Sequence, residues 1–466
     1  VPLIRSTPTE LPYNCHGGFR TGAVACLLVV SLTSLPALLC AQDSASAGSS
    51  RATSDEPTRI KLTDRVPFGR PPIDYFSPTT DDAVSRLQRR IDSGQLTLDA
   101  DGQRGYLDAV LQALNVPVSS QLLVYSKTAR VPRLVTPRTP RAVFFNDEVA
   151  VAWIPKSREL ELTAIDPVKG ANFYTLSQPL RGPDKSGTGS DDSETRPETE
   201  ALVRFERRDR CLACHAGRSS LDVPGFLLRA FQTDGNGSPL FGYSQVTHAL
   251  TYDRRWGGWY VTGAPPDLIH RGNLVSRSDN EQHKREPGFR SELTDLSELL
   301  KVDDLPADSS DIVAHLAFAH QMHGLNLLIR VGTEARTGRM SDAEDRLIRY
   351  LTFADEPPLP APINRAGSEF ATWFERQSPL DGEGRSLQQC DLQTRFLRHR
   401  LSWLVYHTYF QALPKPTRAR LLSRLWSGLT ETPPSTDFLH LPAEEKSAIV
   451  EIVRATVRDL PDCWHP

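Results

Sequence analysis

A chain of 466 residues, 39% apolar and 24% charged, is long enough for roughly two to three domains and apolar enough for packed cores, which excludes global disorder. Its 54 basic and 57 acidic residues leave a net charge of −3, so no basic excess points to nucleic acid or an anionic membrane surface as a partner. The 36 prolines favour short elements joined by many turns.

The first element in chain order is a targeting segment over 1–41. Arg20 precedes an apolar stretch from Ala23 to Leu39, and small residues at Ala41 and Ala45-Ser46-Ala47 suit a cleavage site. At about 17 residues the stretch is shorter than the roughly 20 that a membrane span needs. Export is therefore expected, to the periplasm or another extracytoplasmic space, with an uncleaved anchor or a loose membrane association as the alternative. Lipid attachment at Cys40 is disfavoured by the bulky Leu39 before it. Residues 42–80 follow as a flexible linker, Ser-, Ala-, Asp- and Thr-rich over 42–58.

An N-terminal α+β region is expected over 81–200. Thr80-Asp81-Asp82 caps a helix with Val84, Leu87 and Ile91 on one face, and Leu107, Val110, Leu111 and Leu114 repeat the helical spacing. Strands are expected at Leu122–Tyr125, Ala142–Phe145, Val149–Trp153 and Leu160–Thr163, with turns at Asn146-Asp147 and Pro155-Lys156-Ser157, giving a small antiparallel sheet. A polar loop over 182–200 leads out of it.

The region 201–290 carries the most informative motif, Cys211-Leu212-Ala213-Cys214-His215. Two thiols separated by two residues reach the two vinyl groups on one porphyrin edge, and a histidine directly after them reaches the iron. With 7 Cys and 12 His in the chain, chance would give such a pattern roughly 0.003 times. A redox C-x-x-C lacks the following histidine, a zinc site wants a second ligand pair, and a disulfide across so short a span is strained. The motif therefore predicts haem c, with Cys211 and Cys214 as attachment points and His215 as the proximal iron ligand. A single copy argues against a multihaem wire.

For the distal ligand the candidates are His270 and His320, then His248 and Met322. Each has a plainer reading as a hydrogen-bonded or packed core residue. The run from Arg254 to Gly263 brackets aromatic residues with glycines: Arg254, Arg255, Trp256 and Trp259 are candidates for contact with haem propionates, against a plainer reading as a tight hairpin with packed tryptophans.

Beyond about residue 290 the pattern is mainly helical, and a helical region over 291–466 is expected to pack on the haem region. A strong helix starts at Ser309 or Ser310 and runs to about Arg336, and further helices are expected near 342–353, 388–411, 415–428 and 443–458. Cys390 and Cys463 are free to pair in an oxidising compartment, a bridge worth roughly 4 kcal/mol on the chain-entropy view; two separate buried thiols are the alternative.

The stretches Ser119–Leu122, Pro140–Asp147, Phe173–Leu176, Cys211–His215 and Arg255–Gly263 together resemble a group of bacterial cytochrome c domain-containing proteins, over about residues 110 to 430. That resemblance implies covalent haem at Cys211, Cys214 and His215 and electron transfer. It supplies no substrate and no sixth ligand. The β-rich segment ahead of the motif departs from the compact cytochrome c domain, whose motif lies near its N-terminus. The expected fold is α+β: a small antiparallel β-rich N-terminal part, a haem-binding segment and a mainly α-helical C-terminal part. The expected function is an exported monohaem carrier passing electrons between redox partner proteins. The rivals are a peroxidase-like haem enzyme, with His270 or His320 as an acid–base group, and a haem-based sensor with an open distal site.

Overall fold

The computed structural model describes residues 57–179, 203–240, 242–275 and 293–465. The targeting segment over 1–41 and the loop over 182–200 lie outside them. Six strands form one antiparallel meander in chain order: β1 (Leu122–Val124), β2 (Arg141–Phe145), β3 (Val149–Trp153), β4 (Glu159–Asp166), β5 (Gly170–Ser177) and β6 (Phe205–Arg207). The first four stand at the expected strand candidates. Asn146 makes the β2–β3 turn by accepting the N–H groups of Glu148 and Val149 on its side-chain oxygen, both at 3.0 Å.

Alternation sends successive side chains to opposite faces. One face carries Phe144, Val151, Trp153, Leu160, Leu162 and Tyr174. It is covered by α1 (Ala83–Asp92) and α2 (Leu107–Ala113) through Val84, Leu87, Leu107 and Val110. Asp82 caps α1 in a reciprocal pair with Ser85 and also accepts from Asn172 and Tyr174, so the helix start is fastened to β5.

The second face carries Leu122, Val124, Val143, Phe145, Ile165, Ala171 and Phe173. The turn that holds the Cys-His motif, α3 (Leu212–His215), lies on this side of the sheet. The long helix α4 (Ile312–Arg336) packs here too, with Phe145 and Phe318 ring centroids 4.7 Å apart. Asp311 caps it, and only His323, Ala335 and Arg336 escape full burial, as expected for a helix apolar on more than one side. α5 (Ala343–Leu351) and α6 (Glu369–Glu375) pack on α4, α7 (Lys415–Thr430) packs on α5, and α8 (Ala443–Thr456) packs on α7. No helix among the described residues is long and apolar enough to cross a membrane.

The chain is therefore α+β with an antiparallel sheet, and Glu56–Pro466 form one compact unit. Three expectations need correction. The flexible linker drawn over 42–80 does not extend through its second half, because Val66, Ile73 and Tyr75 are buried and Thr58–Arg59 pairs in parallel with Arg339–Met340. The stretch 388–411 is not one helix. The Asp391 carboxylate accepts the backbone N–H groups of Gln393 (2.9 Å) and Thr394 (2.7 Å), a local alternative to helix, and Cys390 bridges back to Leu397; only single turns over Trp403–Tyr406 and Thr408–Gln411 are helical. Cys390 and Cys463 are unpaired thiols, Cys463 directed at the Ser423 hydroxyl at 3.7 Å.

Candidate functional site

The motif is helical from end to end. A 3-10 turn over Asp209–Cys211 runs into α3, with helical backbone angles at Cys211 and Leu212. Residues at i, i+3 and i+4 share a helix face, so this local fold gathers Cys211, Cys214 and His215 on one side. Cys211 is half-buried and Cys214 exposed, both as free thiols. Burial, aided by the Glu161 carboxylate, raises the Cys211 thiol above its usual pKa.

His215 is held more firmly than either cysteine. Its Nδ1 lies 3.0 Å from the Gly225 carbonyl oxygen, and the Gly225 N–H donates to the His215 carbonyl at 2.9 Å. Since a carbonyl only accepts, Nδ1 carries the proton and Nε2 keeps a lone pair. Burial pushes the imidazole down to about 4, and Arg141 and Arg229 press in the same direction against the Gly225 hydrogen bond. The ring is therefore neutral at pH 7, the state that a metal ligand requires. Phe173 of β5 packs on it with ring centroids 4.6 Å apart.

Gly225 is in turn set by α4. Asn326 accepts the Phe226 N–H at 2.8 Å and donates to the Phe226 carbonyl at 2.9 Å. A Cβ on Gly225 would stand 2.3 Å from the Asn326 side-chain oxygen, so the approach requires glycine. Arg330, one turn further along α4, donates to the Leu221 carbonyl at 3.0 Å and so holds the loop that leaves the motif. Gly225, Asn326 and Arg330 carry no spacing signal that links them to Cys211–His215, and sequence reasoning missed them.

The distal candidates are placed very differently. His320 and His248 face each other with Nδ1 atoms 2.7 Å apart. His248 Nε2 lies 3.2 Å from the Ala354 carbonyl and so carries a proton, which makes its Nδ1 the acceptor. His320 then donates from Nδ1 and accepts from the Ser402 hydroxyl at Nε2, 2.7 Å away. Every nitrogen of the pair is committed, and both residues are buried. Met322 is buried in the main core. His270 accepts the Gly272 N–H on Nδ1 at 2.9 Å, so its neutral form bears the proton on Nε2, a buried atom with no partner among the described residues. His270 is thus built as a donor, the reverse of His215.

The Arg254–Gly263 run extends the sheet beyond β1. Tyr260 N–H donates to the Leu123 carbonyl at 2.8 Å, and Tyr125 N–H to the Gly258 carbonyl at 2.9 Å. Arg255 is buried, stacks over the Tyr252 ring at 4.3 Å and donates to the carbonyls of Leu250 (2.6 Å) and His248 (2.5 Å). These bonds give Arg255 to the core and not to a ligand carboxylate. Arg254 is exposed and reaches Ser244 at 3.4 Å. Trp256 is buried against His270 and His315. Trp259 alone of the four touches a neighbour of the motif, donating from its indole to the Arg229 carbonyl at 2.9 Å.

No family model matches the chain, and no match was found among curated proteins or solved structures. The likeness to cytochrome c domain-containing proteins rests on the residues quoted for it.

Proposed function

We propose that the chain is an exported monohaem c-type cytochrome, with haem tethered at Cys211 and Cys214 and ligated by His215. One observation carries the reading: His215 spends its Nδ1 proton on the Gly225 carbonyl and keeps the Nε2 lone pair free, on the same helical face as two free thiols. A ligating histidine fixed through its other nitrogen is the arrangement that orients a metal-binding imidazole. Each cysteine adds its S–H across a vinyl group, forming one C–S bond and releasing nothing. Bound haem supplies a one-electron iron couple, and the residues around it hold and bury the group. Electron transfer between redox partners outside the cytoplasm is the function that follows.

One observation favours a second reading. The three distal candidate histidines offer no free lone pair, His248 and His320 being mutually bonded and His270 a donor, and Met322 is packed in the core. An open sixth position suits a peroxidase-like enzyme or a gas sensor. The deciding experiment is expression of the full chain with haem-attachment machinery, followed by spectra in both oxidation states and a test for haem on the denatured polypeptide. Retained haem with a low-spin spectrum supports the carrier. Retained haem with a high-spin spectrum selects the second reading. A chain that takes up no covalent haem, or a Cys211→Ala/Cys214→Ala variant that keeps it, overturns both.

A further inference from the structure

The middle of the sheet's second face is left unfinished. Ala150, Ala152 and Thr163 of β3 and β4 point to this face and are half-exposed, whereas Val143, Phe145 and Phe173 in the same cross-strand rows are buried. Central strands of a sheet layered between helices normally have both faces covered. Here the covering is missing over the smallest side chains, and Cys211 and Leu212 pack against the same core cluster as Ala150 and Ala152. Ala150, Ala152 and Thr163 thus leave a floor of small side chains, and the Glu161 carboxylate next to Ala152 in its row acts on the Cys211 thiol, which puts the floor beside the motif.

Arginines surround this floor, and their pairing separates them. Arg130 pairs with Glu159, and Arg208 pairs with Glu206 while its Nε donates to Thr175 at 2.8 Å. Arg141 and Arg229 are less well served. Each has a buried Nε with no acceptor among the described residues. The remaining contact of Arg141 is a loose 3.5 Å approach to Glu161. Arg229 reaches Ser219 at 3.3 Å, just past the motif, and lies 4.2 Å over the Tyr243 ring. An unmade hydrogen bond from a buried donor is costly, and a carboxylate meets a guanidinium through two parallel bonds.

We propose that this floor receives the flat ring of a porphyrin and that Arg141 and Arg229 each pair with one of its two carboxylates. The proposal rests on the haem reading of Cys211, Cys214 and His215. It moves the carboxylate contacts from the Arg254–Arg255 pair to Arg141 on β2 and Arg229 on the short strand Arg229–Ala230 after the motif.

The test uses the full chain made without attachment machinery and two probes, free-base protoporphyrin IX and its dimethyl ester, titrated by fluorescence. Neither probe contains iron, so His215 ligation does not enter. The wild-type chain is expected to bind the diacid about tenfold or more tighter than the ester, the size of a charge-assisted hydrogen-bond contribution. Arg141→Gln and Arg229→Gln should each shrink that preference, Arg141→Lys should restore little of it, and Arg254→Gln should leave it unchanged. Ala152→Phe should weaken both probes while the urea midpoint of the empty chain stays near wild type, because the position is half-open. Equal affinity of the wild-type chain for the two probes, or a preference that survives both glutamine variants, overturns the arginine assignment. Undiminished binding by Ala152→Phe overturns the floor. If matured protein carries covalent haem while the probes show no preference, this inference fails and the haem reading stands. If the preference is present but matured protein carries no haem, the haem reading fails alone.

Discussion

Replacing Asn326 should disturb His215 although the two side chains do not touch. Asn326 satisfies both the N–H and the carbonyl of Phe226, at 2.8 and 2.9 Å, in a buried setting. Asn326→Leu keeps the volume and removes both partners. Each buried backbone group left unpaired costs about 1–3 kcal/mol, so the expected loss is about 2–6 kcal/mol, a large part of a typical folding stability. Asn326→Asp keeps the acceptor for Phe226 N–H and loses only the donor, so it separates the two bonds. The assay is urea unfolding of the haem-free chain, followed by spectra of the matured protein. Displacement of Gly225 frees His215 Nδ1 and should weaken iron ligation by about 10–100-fold, the usual effect of losing an outer partner. A loss below about 1 kcal/mol in Asn326→Leu would refute the clamp. A full stability loss with an unaltered ligand spectrum would leave Asn326 a structural residue only.

The other predictions concern packing, pH and the buried histidines. Gly225→Ala places a Cβ 2.3 Å from the Asn326 side-chain oxygen and should cost about 1–3 kcal/mol by thermal or urea unfolding. Adding Asn326→Ala should not increase that cost by the full single-variant amount, and strict additivity would show that the two do not press on each other. Burial lowers the folded pKa of His248 and His315 to about 3 and of His270, His323 and His407 to about 4. The unfolded chain therefore binds protons first, and the stability these groups contribute, full above pH ~6.5, is lost as pH falls toward the folded values. Asp147 and Asp311, raised to about 6, and Glu356, raised to about 7, act the opposite way, because the folded chain protonates them first. The histidines outnumber the acids, so the urea midpoint should fall between about pH 7 and 5, and a level or rising midpoint contradicts the assignment. His320→Phe should destabilise the chain by about 2–4 kcal/mol through stranding His248 and Ser402, yet leave the oxidised and reduced spectra of matured protein unchanged. A changed spectrum would restore His320 as a ligand.

What was legible in the sequence depended on whether the signal was local. The first two strands of the sheet show as short apolar runs bounded by turn residues, and Val149–Trp153 alternates cleanly between buried and half-buried residues. Strand β5 escaped detection because Gly170–Leu176 is buried on both faces and offers no alternation to read. The 388–411 stretch has apolar residues at helix-like intervals, but the Asp391 carboxylate diverts its backbone. The motif was legible because its three reacting side chains are fixed by one helical turn. Gly225, Asn326, Arg141 and Arg229 were not, because a loop, a helix, a strand and a turn bring them together only in the folded chain.

Histidine roles show most clearly where sequence reasoning stops. His320 looked attractive because a polar side chain inside an apolar stripe needs a reason to be there. The reason is a directed chain from the Ser402 hydroxyl through His320 and His248 to the Ala354 carbonyl, which satisfies four ring nitrogens at once. His270 and His215 are each bonded to backbone through Nδ1, with opposite consequences. A carbonyl partner turns His215 into a lone-pair donor at Nε2, whereas an N–H partner turns His270 into a proton donor there. One backbone atom thus decides whether the same residue type presents a lone pair or a proton at Nε2. A neutral His270 can therefore donate a hydrogen bond at Nε2 but offers no lone pair there.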